Sequence, residues 1–348
     1  MIRFHKIGFL SLHWSVIIPL FALSIFACHK TSTGNLVSAG AYSIKGKNIL
    51  KNNQPVQLIG ANAFHVFGAG SRDMNAWNLD IAREFIGNVK ETPLSGGVIK
   101  DANGSWLYSL QTVADSNRIN NRITIFCAFG WDGTTATMFT GQNPSQTAWW
   151  SDFKLKLTQW ATQFKNQPDT WLEVWNEPYR YDGSGGYSDN LWLSDMSALV
   201  AIVRNTGNEN ILLVPCAGQG QDESVLLAQG NNLLNNQQNL LFDIHAYEKW
   251  LLVPVNTMGS RLQQLQTAKL PVIFGETAPM NAGTLMNPAA LLDSTYKHGL
   301  SSCAWVWKND STDTDALLTN TGLPNNNNNN IWGSLFYQFS TQTRNPLP

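Results

Sequence analysis

The sequence predicts an α/β fold, a (β/α)8 TIM barrel with a small N-terminal β-hairpin, and three observations carry that prediction. Seven apolar, strand-like runs recur along the 348 residues, the last five beginning at residues 171, 211, 240, 271 and 303. Helical periodicity fills the gaps between them. Their spacing is near the roughly 31 residues per strand–helix unit of a barrel whose eight units take about 250 residues. A doubly wound open sheet would alternate in the same way, but its Gly-rich phosphate fingerprint is absent.

In chain order, the N-terminus comes first. Arg3, His5 and Lys6 precede a mostly apolar run from Ile7 to Ala27, which ends at Cys28. That order is an export signal. The small residue directly before Cys28 resembles a bacterial lipoprotein cleavage box, with Cys28 becoming the lipidated first residue. The alternative is an uncleaved membrane anchor, because the run is nearly long enough to span a bilayer. Residues 1–28 are thus expected to be a lipoprotein-type signal peptide, 29–40 a linker and 41–348 a single folded domain outside the cytoplasm.

Residues 42–61, YSIKGKNILKNNQPVQLIGA, break short apolar runs with Gly and Asn and predict a hairpin leading into a buried strand. QLIGA (57–61), ITIFCAF (123–129), WLEVW (171–175), ILLVP (211–215), LLFDI (240–244), PVIF (271–274) and CAWVW (303–307) are strands one and three to eight. The second strand falls within 83–100, without a clear boundary. Residues 147–164 place Trp149, Trp150, Phe153, Leu157, Trp160 and Phe164 on one helical face. Residues 191–204 repeat that pattern before a stop at Gly207, and 288–298 close on His298-Gly299. Six consecutive asparagines, Asn325 to Asn330, read as a polar surface loop.

Composition excludes several classes. A net charge of −1 lacks the basic surplus of a nucleic-acid binder. Cys127, Cys216 and Cys303 each sit in an apolar run and read as core thiols, not a disulfide framework. No GxSxG, GxGxxG or P-loop occurs. The folded part holds only His65, His245 and His298, so a histidine-rich metal centre is not expected, nor any other cofactor.

In a barrel, chemistry gathers at the C-terminal ends of the strands. Asn62 and His65 follow strand one, Asn176-Glu177 strand four, His245-Ala246-Tyr247 strand six, and Gly275-Glu276 strand seven; Trp305-Val306-Trp307 ends strand eight. Glu177 and Glu276 lie about three units apart, so both emerge on one face. Two carboxylates flanking a bond are the apparatus of glycoside hydrolysis, one donating a proton to the leaving oxygen and the other attacking the sugar or activating water. Environment must push the two pKa values apart. Fourteen Trp suit the same purpose, because the apolar faces of sugar rings stack on indole. Trp131, Tyr179 and Tyr181 are candidate platforms.

LEVWNEPY, FDIHAYE, VIFGETAP and CAWVWK together resemble the motifs of glycoside hydrolase family 5, a group of retaining (β/α)8 glycanases. The resemblance covers strands four to eight, roughly residues 165 to 310. It implies Glu177 as acid/base and Glu276 as nucleophile. It further implies Asn176 as holder of the sugar 2-hydroxyl and His245 with Tyr247 as the pair orienting the glutamates, period two putting both on one side of their strand. Trp307 is the implied sugar platform, with Trp305 the alternative. His65 and Asn62 are either substrate contacts or loop structure. The family usually carries an Arg near the end of strand two and a His at the end of strand three. Here strand three ends CAFGWDG, with Trp131 or Asp132 in that region, and only Arg72 and Lys90 offer themselves after strand two.

The expected function is a retaining hydrolase of β-1,4-linked polysaccharide: mannan, glucomannan or cellulose-type glucan. IHAYE and AWVWK lean toward the mannan-cleaving members. The protein is expected to be a monomer, secreted or touching membrane only through lipid on Cys28. Two alternatives remain. One is a catalytically silent carbohydrate-binding lipoprotein, for which the missing Arg and His speak; the other is a transglycosylase using the same residues.

Overall fold

The computed structural model describes residues 42–68, 72–235, 237–327 and 330–344. The signal segment, the linker and Cys28 lie outside the described residues. Eight parallel strands close a barrel in sequence order: Ile59–Ala63, Ile81–Ile86, Ile123–Ala128, Thr170–Glu173, Leu212–Pro215, Leu240–Ala246, Val272–Thr277 and Ser301–Ala304. The ring shuts where Ser302, Cys303 and Ala304 pair with Ile59, Gly60 and Ala61. Six of the seven predicted strands stand where the apolar runs place them; the last, predicted over 303–307, starts earlier and runs from Ser301 to Ala304.

The second strand begins two residues before the window expected to contain it. Its sequence, IAREFI, sets Arg83 and Glu84 side by side in a strand that is buried throughout. Alternation explains how both charges are accommodated. Arg83 points into the barrel, while Glu84 points outward to His65 and to Asn117 of the helix Leu110–Ile119.

Outside the barrel, apolar helix faces cover the strands. Phe153, Leu157, Trp160 and Phe164 of Trp150–Phe164 are buried, as are Trp192, Met196, Leu199, Val200 and Val203 of Asp189–Arg204. Each such side chain contributes roughly 1.5–3 kcal/mol by leaving water. Trp149 and Trp150 are only half-buried, so the first of these faces starts at Phe153. Gly299 closes Ala289–His298 in the left-handed conformation, φ +66°, as the His-Gly signal predicts.

Below the barrel lies a three-stranded antiparallel sheet, Tyr42–Lys45, Asn48–Lys51 and Gln54–Pro55, one short strand more than the predicted hairpin. Ile49, Tyr42, Ile44 and Val56 pack there against Ile81, Ile123, Trp171, Leu213 and Ile273 near the starts of the barrel strands. The lower interior is therefore an apolar plug. Cys127, Cys216 and Cys303 are buried and free. The asparagine run is not wholly a surface loop. Asn325 is buried, and its amide donates to the carbonyls of Asp310, Asp313 and Ala316, tying down the segment before the helix Trp332–Thr341.

Candidate active site

Above the apolar plug the barrel interior turns charged, and Arg83 is its hub. The Nε and Nη2 of Arg83 donate to both oxygens of Glu173 at 2.7 and 2.8 Å. Nη1 donates to Asn62 Oδ1 at 2.8 Å and Glu276 Oε1 at 2.7 Å, and Nη2 also reaches Asn176 Oδ1 at 3.1 Å. Only the planar five-donor fork of arginine can serve acceptors on so many strands at once. Burial works against this charge, yet the acids around it, Glu173, Asp243 and Glu276 among them, hold the guanidinium pKa well above its ordinary value. Burial pushes Glu173, facing Arg83 from strand four, up to about 7. Asp243 lies 3.5 Å from Arg83 Nε and accepts from the Gly275 amide at 2.6 Å. A side chain at position 275 would collide with the Asp243 carboxylate, which is why a glycine precedes Glu276.

One layer higher, two glutamates meet at a histidine. Nδ1 of His245 lies 2.9 Å from Glu177 Oε1 and 3.5 Å from Glu276 Oε2. Its Nε2 faces Arg83 Nη2 at 3.2 Å and Asp243 Oδ2 at 3.5 Å. An irregularity in pairing between Ile244 and His245 brings His245 level with Glu276 across strands six and seven. Burial pulls the His245 pKa down, but Glu276, Asp243 and Glu177 outweigh it and set it well above that of free imidazole. The three side chains each bring an atom within 4.8 Å of the others.

Glu276 is almost fully buried and accepts from the Tyr247 hydroxyl at 2.8 Å as well as from Arg83. Burial raises its pKa and Glu177 adds to the rise, while His245 and Arg83 pull the other way. Glu177 is more open. Its Oε2 accepts from the Thr140 hydroxyl at 2.9 Å. Its backbone is left-handed, φ +47°, and is held there by the Gly141 amide on its carbonyl at 2.8 Å. A non-glycine residue in that conformation is strain of the kind that surrounding contacts must sustain at functional sites.

A cleft of about 270 Å³ opens above these groups, lined by Glu177, Thr140, Phe129, Tyr247, Glu276, Trp305, Asp315 and the tip Met280–Ala282. Among the residues singled out from the sequence, Glu177, Glu276, Tyr247 and Trp305 line it, and His245 lies beneath. Asn176 and Asn62 are fully buried one layer lower, where both accept from Arg83; Asn62 also donates to the Gly275 and Ala304 carbonyls.

The remaining candidates lie elsewhere. Trp307, named ahead of Trp305 as the sugar platform, is buried against Trp77 at 5.3 Å between ring centres. Strand eight ends at Ala304, so strand alternation no longer decides which indole faces the cleft. His65 is buried against Glu84 outside the barrel. Trp131 packs partly buried on the core and is not among the residues lining this cleft. Tyr179 is buried and donates to Asp195, while Tyr181 is exposed beneath the Lys249 ammonium.

Sequence reasoning missed Arg83, Glu173, Asp243, Thr140, Phe129 and Asp315. Charged residues inside apolar strand runs, as in IAREFI, WLEVW and LLFDI, were the available signal, since a charge in a strand buried on both faces must be paired. Phe129, not a histidine, reaches the cleft from the end of strand three.

Comparison with known proteins gives concordant matches. Residues 129–311 match the model of the Cellulase (glycosyl hydrolase family 5) family. A mannan endo-1,4-beta-mannosidase from Salipaludibacillus agaradhaerens is 25% identical over 148 residues, 42% of this chain and 46% of that protein. A beta-mannanase/endoglucanase A from Caldicellulosiruptor saccharolyticus is 20% identical over 279 residues, 77% of this chain and 19% of that protein. The chain thus spans less than half the length of either curated relative. Among solved structures, the catalytic domain of a mannanase from Streptomyces sp. SirexAA-E superposes with a TM-score of 0.65 at 16% identity, over 96% of this chain and 98% of that one. A beta-mannanase from Thermomonospora fusca gives 0.66 at 16% identity, over 88% and 98%. At such identity these structures speak for the fold.

Proposed function

The chain belongs to glycosyl hydrolase family 5, and from that membership we propose that it is a retaining, endo-acting hydrolase of β-1,4-linked polysaccharide, with mannan or glucomannan as its substrate ahead of glucan. Glu276 attacks the anomeric carbon. Glu177 gives its proton to the departing oxygen, then takes one from the water that releases the glycosyl-enzyme. Tyr247 and Arg83 hold the two oxygens of Glu276, and their donors favour the charged form that attack requires. Thr140 and His245 fix Glu177, whose openness to the cleft suits proton exchange with a leaving group and with water. No cofactor enters this chemistry.

The observation that carries the reading is the proximity of Glu177 and Glu276 across one histidine, with oxygens within 4.8 Å. Retaining enzymes need carboxyl groups about 5–5.5 Å apart, and inverting ones roughly 6.5–9.5 Å to admit a water. The argument for a silent binder loses force, because the arginine sought after strand two is present within it as Arg83. The names of the relatives support mannan. The N-terminal pattern supports export, with lipid on Cys28.

The test is release of reducing ends from glucomannan, unbranched mannan, carboxymethyl-cellulose and xylan, with Glu276→Ala as control. Activity on a mannan that disappears in the variant supports the proposal. A folded protein inactive on all four refutes it.

A further inference from the structure

Asp315 lines the cleft beside Glu276, Tyr247 and Trp305, yet it comes from the long segment after strand eight and has no part in the chemistry above. Its position is fixed from two sides. The backbone carbonyl accepts from the Val306 amide at 2.8 Å and from Trp332 Nε1 at 3.1 Å. Its Oδ1 accepts from the Met280 amide at 2.9 Å, which ties the carboxylate to the strand pair Met280–Asn281 and Thr284–Leu285 following Glu276. Among the described residues, Oδ2 has neither a hydrogen-bond nor an ion-pair partner. The nearest candidate cation along the chain, Lys308, is engaged by Asp310 and Asp313 at 2.8 and 3.0 Å.

A half-buried carboxylate without a counter-ion is costly, and burial pushes the Asp315 carboxyl up to about 7. Holding the Met280 amide does not require an acid, since an asparagine oxygen would also accept from it. The Asp315 charge acts on the Tyr247 phenol, whose hydroxyl serves Glu276. Asp315 shares the cleft lining with Tyr247, Glu276 and Trp305, and the Met280 amide it holds belongs to the strand pair that follows Glu276. A sugar lying with its apolar face on Trp305 turns its hydroxyl edge toward such flanking groups.

We propose that Asp315 binds a hydroxyl of the sugar unit attacked by Glu276, its open oxygen being the acceptor. The inference rests on the glycosidase reading. It assigns a specificity role to a loop residue anchored by Trp332 and Met280.

The experiment measures kcat and KM on mannohexaose for the full chain, Asp315→Asn and Asp315→Ala, with thermal unfolding of each. Asparagine keeps an acceptor for Met280 but turns a charge-assisted contact into a neutral one. The expected result is about a tenfold loss of kcat/KM in Asp315→Asn at unchanged Tm, with a larger loss in Asp315→Ala. Equal kcat/KM for Asp315→Asn and the parent overturns the proposal and leaves the glycosidase reading intact. Loss in both variants accompanied by a matching fall in Tm also overturns it, assigning Asp315 to support of the strand pair. A parent inactive on mannohexaose and on the four polymers sinks both proposals together.

Discussion

Replacing Arg83 with methionine should damage stability and chemistry by separable amounts. The substitution keeps much of the side-chain volume and deletes the hydrogen bonds of the guanidinium, among them two to Glu173 and one each to Asn62, Glu276 and Asn176. Removing one partner from a buried ion pair costs about 3–5 kcal/mol, because the other charge stays behind. Glu173 can reduce that cost by taking up a proton, since burial already places its pKa at about 7. A loss near 3 kcal/mol at about 2–4 °C per kcal/mol gives a fall in Tm of roughly 6–12 °C. Adding Glu173→Gln should restore part of it by removing the stranded acid. The chemical effect has a definite sign. Arg83 lowers the pKa of Glu276, so its removal raises that pKa, and the acidic limb of kcat/KM should move to higher pH. Scanning calorimetry and a pH–rate profile on mannohexaose measure the two effects. A variant whose Tm falls by less than 2 °C and whose acidic limb stays in place would refute the view of Arg83 as hub.

Three further outcomes are expected. Burial alone would raise the Glu84 pKa, but His65 and Asn117 more than offset it and leave it below 4.5; its stabilisation is therefore complete above that value and disappears as pH falls through the lower folded pKa. Glu84→Gln should cost about 1–3 kcal/mol at pH 7, because it weakens the contacts to His65 and Asn117, and flatten the fall of Tm with acid below about pH 5, as thermal scans from pH 3 to 7 would register. Trp305→Ala should raise KM for oligosaccharides with little change in Tm, whereas Trp307→Ala should lose about 3–5 kcal/mol of stability, which paired kinetics and calorimetry would separate. Cys28→Ala should abolish incorporation of labelled fatty acid into the expressed protein; persistent labelling would place the lipid elsewhere.

What could be read in advance depended on whether one residue carried its own signal. Strands three to eight announced themselves because strands covered on both faces are mostly apolar, with a single acid in strands four and six, and Glu177 and Glu276 stood out at their ends. Strand two hid because Arg83 and Glu84 made a buried strand look like charged surface. The partners that make those charges tolerable, Glu173, Asp243 and His65, arrive from elsewhere in the chain, and no local window contains them. Trp305 and Trp307 could not be ranked from sequence, since alternation holds only while a strand continues, and this one stops at Ala304. Asp315 was invisible for a related reason: it lies in a polar segment whose path is set by Met280 and Trp332.

The sheet beneath the barrel also settles a matter of access. Ring contact between Tyr42 and Trp171, and the bond from the Ile44 amide to Asn239, place the entry of the chain at the closed end of the barrel, under the starts of strands four and six. Tyr42, the first described residue, therefore lies on the side of the barrel opposite the cleft. The sheet and the apolar plug above it close that end, so the glutamates are reached only from the mouth at the C-terminal ends of the strands.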